Sequence, residues 1–422
     1  MDSKAMCNRL VIRLGWVFGL LCAISIQGEA QEEAGWSKRD SVMVAEIHGH
    51  VLGSGQCYED LRVLCKDIGA RLSGSDEADD AILWGGQTLS SIGVGAVRMQ
   101  PVVVPHWQRG ETEKAWMRVD GGAPEPLRIS ALGGSIGTDG PLEAEVAMFK
   151  NFDALDSLGA EGVAGKMVFF NRPMDPLMIN AGSAYGGAYE QRSKGAVEAA
   201  AHGGVGALVR SLTHALDTFP HTGGMRYDDE VRKVPSAAVS TVDARRIAQL
   251  LKDGREVRVG MDMGCALFDD KSQANVIAEW KGTEFPDRYI VVGGHLDSWD
   301  IGEGAHDDGA GIVQSIEVMR TLHALGYAPR HTLRVVLFIN EENGNNGGKT
   351  YALRARERGE WHVAAVESDA GGDAPRGFSI DASDSATAAV RSWREDFTGY
   401  GVGEMRRGGA GVDIGPLKKE MP

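Results

Sequence analysis

The chain has 422 residues, an apolar share of 43% and a formal charge of -15. That length allows a large buried core and more than one domain. The acidic balance excludes nucleic acid as a partner, because displacing counterions needs a basic surface and no Lys/Arg run is present. The 57 glycines gather in pairs and triplets at expected strand ends, which excludes a collagen-like or low-complexity chain.

Residues 1–30 read as a signal peptide: Lys4, Arg9 and Arg13 precede an apolar run, and Gly28, Glu29 and Ala30 offer small residues at a cleavage spacing. The run is shorter than the roughly 20 residues that span a bilayer. The expected location is therefore secreted or periplasmic, with no membrane contact beyond the leader. Cys57, Cys65 and Cys265 then remain. On one continuous helix Cys57 and Cys65 stand about two turns apart, too far for a disulfide.

Along the mature chain, residues 41–66 have helical spacing broken at Gly53, Ser54 and Gly55, so a helix pair is expected. Residues 76–91 read as a helix and 94–104 as a strand. From residue 127 the pattern changes to short strands and glycine-rich turns. Strands at 167–170, 205–209 and 235–240, with helices at 194–202 and 243–251, outline a compact inserted α/β unit over 127–260. Residues 31–126 and 261–422 then form the two parts of the main domain. In the second part strands at 288–293, 333–340 and 363–368 alternate with helices at 309–325 and 347–358. The expected fold class is α/β: a mostly parallel, mixed sheet with helices on both faces, plus the smaller inserted domain.

In such a sheet the ligand site lies at the carboxyl ends of the strands. Here those ends carry His295 and Asp297, then Glu341 and Glu342, then Glu367 and Asp369, with His306, Asp307 and Asp308 in the first loop. A single acid at a strand end commonly caps the next helix. Three acidic ends in succession would crowd carboxylates on one rim, which a divalent cation neutralises. The mix of histidine and carboxylate suits zinc.

The segments GGHLDSWD (residues 293–300), GAHDDGAG (304–311), Glu341–Glu342 and ESDAG (367–371) resemble the co-catalytic zinc exopeptidases, the family of bacterial aminopeptidases and plasma glutamate carboxypeptidase. The similarity to the latter subgroup extends to Arg210 through Thr213, Asp217, Thr218 and the PHTG segment at 220–223, which resemble its protease-associated insertion. The resemblance implies that His295 and Asp369 hold one zinc, that Asp307 bridges two, and that Glu342 binds the second. It assigns Glu341 as general base and Asp297 as the residue orienting His295. It also implies a cis peptide at Asp307–Asp308, and one more histidine about twenty residues beyond Leu417. The chain stops at Pro422 with no histidine after His362, so it reads as a fragment with one ligand outstanding.

The residue types fit that chemistry on their own terms. One carboxylate, Asp307, has an oxygen for each of two ions. Asp297 stands two residues after His295, on the same side of an extended segment, where it can accept the ring's second N–H. Glu341 can take a proton from water and return it to a leaving amine, although a carboxylate there could equally start the following helix. His306 is expected beside the ligands rather than among them, His331 and His362 at the surface, His221 in solvent, and Trp299 in pocket wall or core. The function expected is a secreted zinc metallo-exopeptidase acting on dipeptides or short peptides, in aminopeptidase, dipeptidase or carboxypeptidase mode. The alternative is a catalytically impaired binding or receptor ectodomain on the same architecture. A short peptide is the expected partner, and pairing of two copies into a homodimer stays open.

Overall fold

A computed structural model describes residues 38–369, 371–409 and 411–419. The expected leader lies outside them. Among the described residues no helix is long and apolar enough to cross a membrane. The described residues divide into two compact units, a larger one within 57–320, 328–372 and 411–419, and a smaller one within 38–56, 321–327 and 373–409.

The smaller unit opens with α1 (Lys38–Ser54). In the larger unit α2 (Cys57–Arg62) continues into a wider turn, Val63–Ile68. Cys57, Cys65 and Cys265 are all free. Next comes α3 (Asp76–Ser91), started by the Ser75 hydroxyl accepting the Ala78 N–H and by Asp76, Glu77 and Asp79 in the first turn. Such a cap satisfies an orphan donor, and acids there complement the helix dipole.

The first sheet has five strands in the order β1 (Ala96–Gln108), β10 (Ala266–Trp280), β12 (His331–Phe338), β11 (Phe285–His295) and β13 (Trp361–Glu367). β11 runs parallel to both β12 and β13, whereas β10 is antiparallel to β1 and β12. The sheet is thus parallel where the three acidic strand ends lie and antiparallel on its other side. Alternation along β12 covers both faces. Val335 and Leu337 pack with α3 and with Ile312, Ile316 and Met319 of α7 (Ala310–Ala324). Val336 and Phe338 pack with Tyr351, Ala352 and Ala355 of α8 (Asn346–Glu357) and with Ile414 and Leu417. Each such side chain contributes about 1.5–3 kcal/mol when fully buried.

The chain leaves this sheet after β1 and returns at β10. Between them it builds a second sheet, in the order β3 (Glu125–Leu127), β2 (Glu113–Val119), β9 (Val257–Met263), β5 (Leu142–Phe149), β6 (Met167–Phe170), β7 (Gly206–Arg210), β8 (Ser236–Val239) and β4 (Ile129–Ala131). This sheet shares no strand with the first and extends beyond residues 127–260. β2 lies before that span and pairs with β9 from Glu113↔Met263 to Val119↔Val257. α6 (Thr241–Lys252) covers one face through Ala244 and Ile247. α4 (Phe152–Val163) and α5 (Ala181–Ala201) cover the other through Leu155, Val163, Ala196 and Ala199. The helix expected at 194–202 starts thirteen residues earlier, where the Asn180 side chain accepts the Ser183 N–H.

The smaller unit also holds β14 (Gly377–Ile380) and β15 (Glu404–Arg407), paired in parallel, with α9 (Asp384–Ser392) and α10 (Arg394–Thr398) between them. Arg391 donates to the Met405 carbonyl at 3.1 Å, tying α9 to β15.

Candidate active site

β11, β12 and β13 point the same way, so their carboxyl ends form one edge. Register fixes it: His295 stands opposite Phe338 and Gly293 opposite Glu367. α7 starts close beneath. A Cβ on Gly294 would press on the Asp308 carboxylate, and one on Gly311 on the Ser368 carbonyl, so only glycine permits this approach.

The His295 side chain is 0% exposed, and its Nε2 lies 3.0 Å from Oδ1 of Asp307, which is 55% exposed. The same nitrogen is 3.4 Å from Asp369 and 4.0 Å from Glu341. Nδ1 lies 2.9 Å from the Asp297 carbonyl, to which it donates. With Nδ1 so committed, Nε2 faces a group of carboxylates, an arrangement that asks for a cation. Ligand atoms of His295, Asp307 and Glu342 lie within 4.8 Å of one another, as do those of His295, Asp308 and Asp369. All four expected metal ligands and the expected base thus meet at one edge. The Asp307–Asp308 peptide is cis, as the resemblance implies.

Asp297 orients its neighbours differently from the expectation. Its carboxylate is 3.9 Å from the His295 ring, and its main-chain oxygen takes the ring proton instead. The carboxylate oxygens accept the Glu341 N–H at 3.1 Å and the Glu342 N–H at 3.3 Å. Asp297 thus fixes both glutamates on their loop as well as the histidine. His306 stands beside the ligands and accepts the Gly372 N–H at 3.0 Å.

Electrostatics follow from crowding in a buried place. Burial pushes the Glu341 carboxyl up to about 7, with Asp297, Asp369 and Asp307 adding to the rise against the pull of His295. Burial raises Glu342 well above the carboxylate range, and Asp308 to about 8. For His295 burial opposes protonation, yet hydrogen bonds to Asp307 and Asp369 and the fields of Asp297 and Asp308 hold it well above its ordinary value. A proton is then the stand-in for a metal cation. One imidazole with carboxylates is a hard-to-borderline donor set, and it fits zinc.

Further residues support this edge. Arg71 is buried, and its guanidinium donates to the carbonyls of Gly69, Leu296, Glu303 and Gly304. Asp308 accepts the N–H groups of His295 and Gly311, so it caps α7 and holds β11 at once. Glu367 accepts from the main chain of Asp413 and Ile414. One Oδ of the buried Asp413 has no hydrogen-bond partner. Elsewhere, His362 is not at the surface: it faces inward from β13, 3.0 Å from the Tyr351 hydroxyl, because strand alternation exposes Trp361 and buries its neighbour. Trp299 packs on the core of the second sheet.

Known proteins of similar sequence and fold are peptidases. The model of Peptidase family M28 matches residues 275–403. Carboxypeptidase Q of Bos taurus is 34% identical over 379 residues, 89% of this chain and 76% of the relative. Carboxypeptidase Q of Homo sapiens is 34% identical over 380 residues, 88% of this chain and 77% of the relative. The crystal structure of a Peptidase M28 precursor from Shewanella amazonensis superimposes with a TM-score of 0.83 at 34% identity, covering 90% of this chain and 85% of that one. BSAP, a zinc aminopeptidase from Bacillus subtilis, shares the fold with a TM-score of 0.62 at 18% identity over 86% of this chain and 82% of its own. The chain belongs to peptidase family M28. It is a zinc-dependent exopeptidase of the aminopeptidase and carboxypeptidase type.

Proposed function

We propose that this enzyme uses two zinc ions to hydrolyse dipeptides and other short peptides outside the cytoplasm. One observation carries the reading: His295 commits Nδ1 to the Asp297 carbonyl and turns Nε2 toward Asp307, Asp369 and Glu341. His295 and Asp369 would hold one ion, Asp307 would bridge, and Glu342 would serve the second. Zinc bound there supplies an acidified water and polarises the peptide carbonyl.

The chain's own residues do the rest. Glu341 sits on a loop whose N–H groups Asp297 fixes, and its carboxylate lies 4.0 Å from His295 Nε2. A carboxylate so held would take a proton from water and hand it to the departing amine. The lobe built on the second sheet, the expected protease-associated insertion, would serve substrate recognition, and residues 1–30 would direct export. The acidic surface suits a peptide partner and disfavours nucleic acid.

Glu341→Gln tests this. The amide keeps shape but cannot accept the proton, so turnover falls by about 10²–10⁴ while zinc content stays near that of the wild type. Wild-type turnover in that variant would remove Glu341 as the base.

A further inference from the structure

At its carboxyl end, α5 carries a group that the peptidase chemistry leaves unused. Glu198 and His202 stand four residues apart, about one helical turn, so their side chains share a face. Asp156 of α4 meets them from the neighbouring helix. Its Oδ1 lies 3.1 Å from His202 Nε2, and ligand atoms of all three residues lie within 4.8 Å of one another. Nδ1 of His202 lies 2.9 Å from the Glu198 main-chain carbonyl, which can only accept, so Nδ1 carries the proton. That bond fixes the ring and leaves Nε2 to face the Asp156 carboxylate, the same device that orients metal-bound histidines.

The two carboxylates lack a fixed counter-charge. Among the described residues neither Asp156 nor Glu198 pairs with a lysine or arginine. Lys194, one turn before Glu198, is taken by Glu190 at 3.0 Å, and the last turn of α5 has no basic residue. The carboxyl end of a helix adds partial negative charge of its own. The frame around the trio is built without it. Leu155 and Val163 of α4 pack with Phe170, Ala196 and Ala199, and Phe152 meets Phe170 edge-on at 5.3 Å. Beyond the helix ends, Gly165 N–H donates to Gly203 O and Val205 N–H to Lys166 O, both at 2.9 Å. The His202 side chain is 19% exposed and that of Asp156 61%, so an ion can arrive from solvent and keep water on its open side.

We propose that Asp156, Glu198 and His202 form a peripheral divalent-metal site of the zinc class, which clips α4 to α5 and is separate from the strand-end cluster. One imidazole and two carboxylates supply three protein ligands, and water completes the shell. With a single nitrogen donor and an open side, the site holds its ion less tightly than the catalytic edge, so dialysis empties it first. The ion neutralises the paired acids and ties two helices that otherwise meet only through apolar packing and the main chain.

The zinc-loaded enzyme, dialysed against zinc-free buffer until its metal content is steady, would be titrated with zinc while bound metal is counted and the thermal midpoint is read. Wild type takes up about one further zinc per chain and its midpoint rises. His202→Gln loses that uptake, its affinity for the added ion falling by more than the roughly 10- to 100-fold that disturbing an orienting partner costs. Asp156→Asn weakens uptake as well, and at so exposed a position it serves if the glutamine variant fails to fold. Both variants turn over peptide like the wild type. Magnesium, a hard cation that takes oxygen ligands, gives no shift at the same concentration. No further uptake by the wild type, undiminished uptake by the variants, or an equal response to magnesium would show the trio to be an ordinary ion pair of His202 with Asp156 and overturn the site.

Discussion

Strands β11, β12 and β13 carry a buried cluster of charge toward each end, and the two are balanced in opposite ways. Toward the amino ends, Arg334 reaches Glu279 at 2.8 Å, Glu360 at 2.6 and 3.0 Å, and the Tyr351 hydroxyl at 2.9 Å. Tyr351 in turn meets His362 at 3.0 Å. Every acid there has a guanidinium partner. At the carboxyl ends, one imidazole faces Asp307, Asp369 and Glu341, and nearby Arg71 directs its donors to main-chain oxygens. The carboxyls of Glu341, Glu342 and Asp308 rise instead of falling. The contrast teaches how to tell a structural cluster from a functional one: the first supplies its own counter-charge, and the second reserves that place for a ligand.

Asp307→Ala should break the contrast most. It removes the carboxylate nearest His295 Nε2, so zinc is lost and kcat/KM falls by at least about a thousandfold, as several kcal/mol of electrophilic stabilisation disappear. Metal analysis beside a peptide assay reads both, and retained zinc with full turnover would erase the distinction. Arg334→Met attacks the other cluster. Stranding Glu279 and Glu360 should cost about 3–5 kcal/mol in urea unfolding, with zinc content unchanged. Partial recovery on adding Glu360→Gln would mark the stranded charge as the cause.

Removing zinc with a chelator should lower stability by about 3 kcal/mol relative to protein in a hundredfold excess of zinc over Kd. The same treatment of Asp307→Ala should shift the thermal midpoint far less. The smallest effect belongs to His362, whose ring burial and the charge of Arg334 keep neutral. Its folded pKa lies below the unfolded value of 6.5, so the unfolded chain takes up the proton first as pH falls. Stability contributed by this ring is complete above that value and declines below it, on the order of 1 kcal/mol per pH unit. His362→Gln should flatten that part of the stability profile. An unchanged slope would show that another group controls it.

The sequence made the catalytic edge legible because His295, Glu341, Glu342 and Asp369 stand at or just after strand ends and Asp307 stands in the loop that follows the first of them, and a strand's apolar run marks its own end. His295, Asp307, Glu341, Glu342 and Asp369 could thus be placed before any coordinates. Arg71 could not, because its partners at Leu296, Glu303 and Gly304 lie more than 220 positions away, and a lone arginine in a turn carries no signal. β10 was missed because its first half, LFDDKS, is mostly exposed and hides the buried second half. Residues 113–119 were placed with the main domain because their pairing to β9 closes across more than 130 residues of chain. His362 misled because Glu360 and Trp361 before it suggest a surface turn, whereas strand period two sends the histidine inward.

Arg71 has a kinetic consequence. Its guanidinium binds the Leu296 carbonyl just before Asp297 and the Glu303 and Gly304 carbonyls a few residues before Asp307, so protein contacts hold the course of this loop. Zinc binding at His295 should then need little coupled folding. Capture by a rim of carboxylates is steered by a field that dissolved salt screens over about 10 Å at 0.1 M. Metal loading of the empty enzyme should accordingly slow as salt is added, in a single phase, with little change in far-UV dichroism.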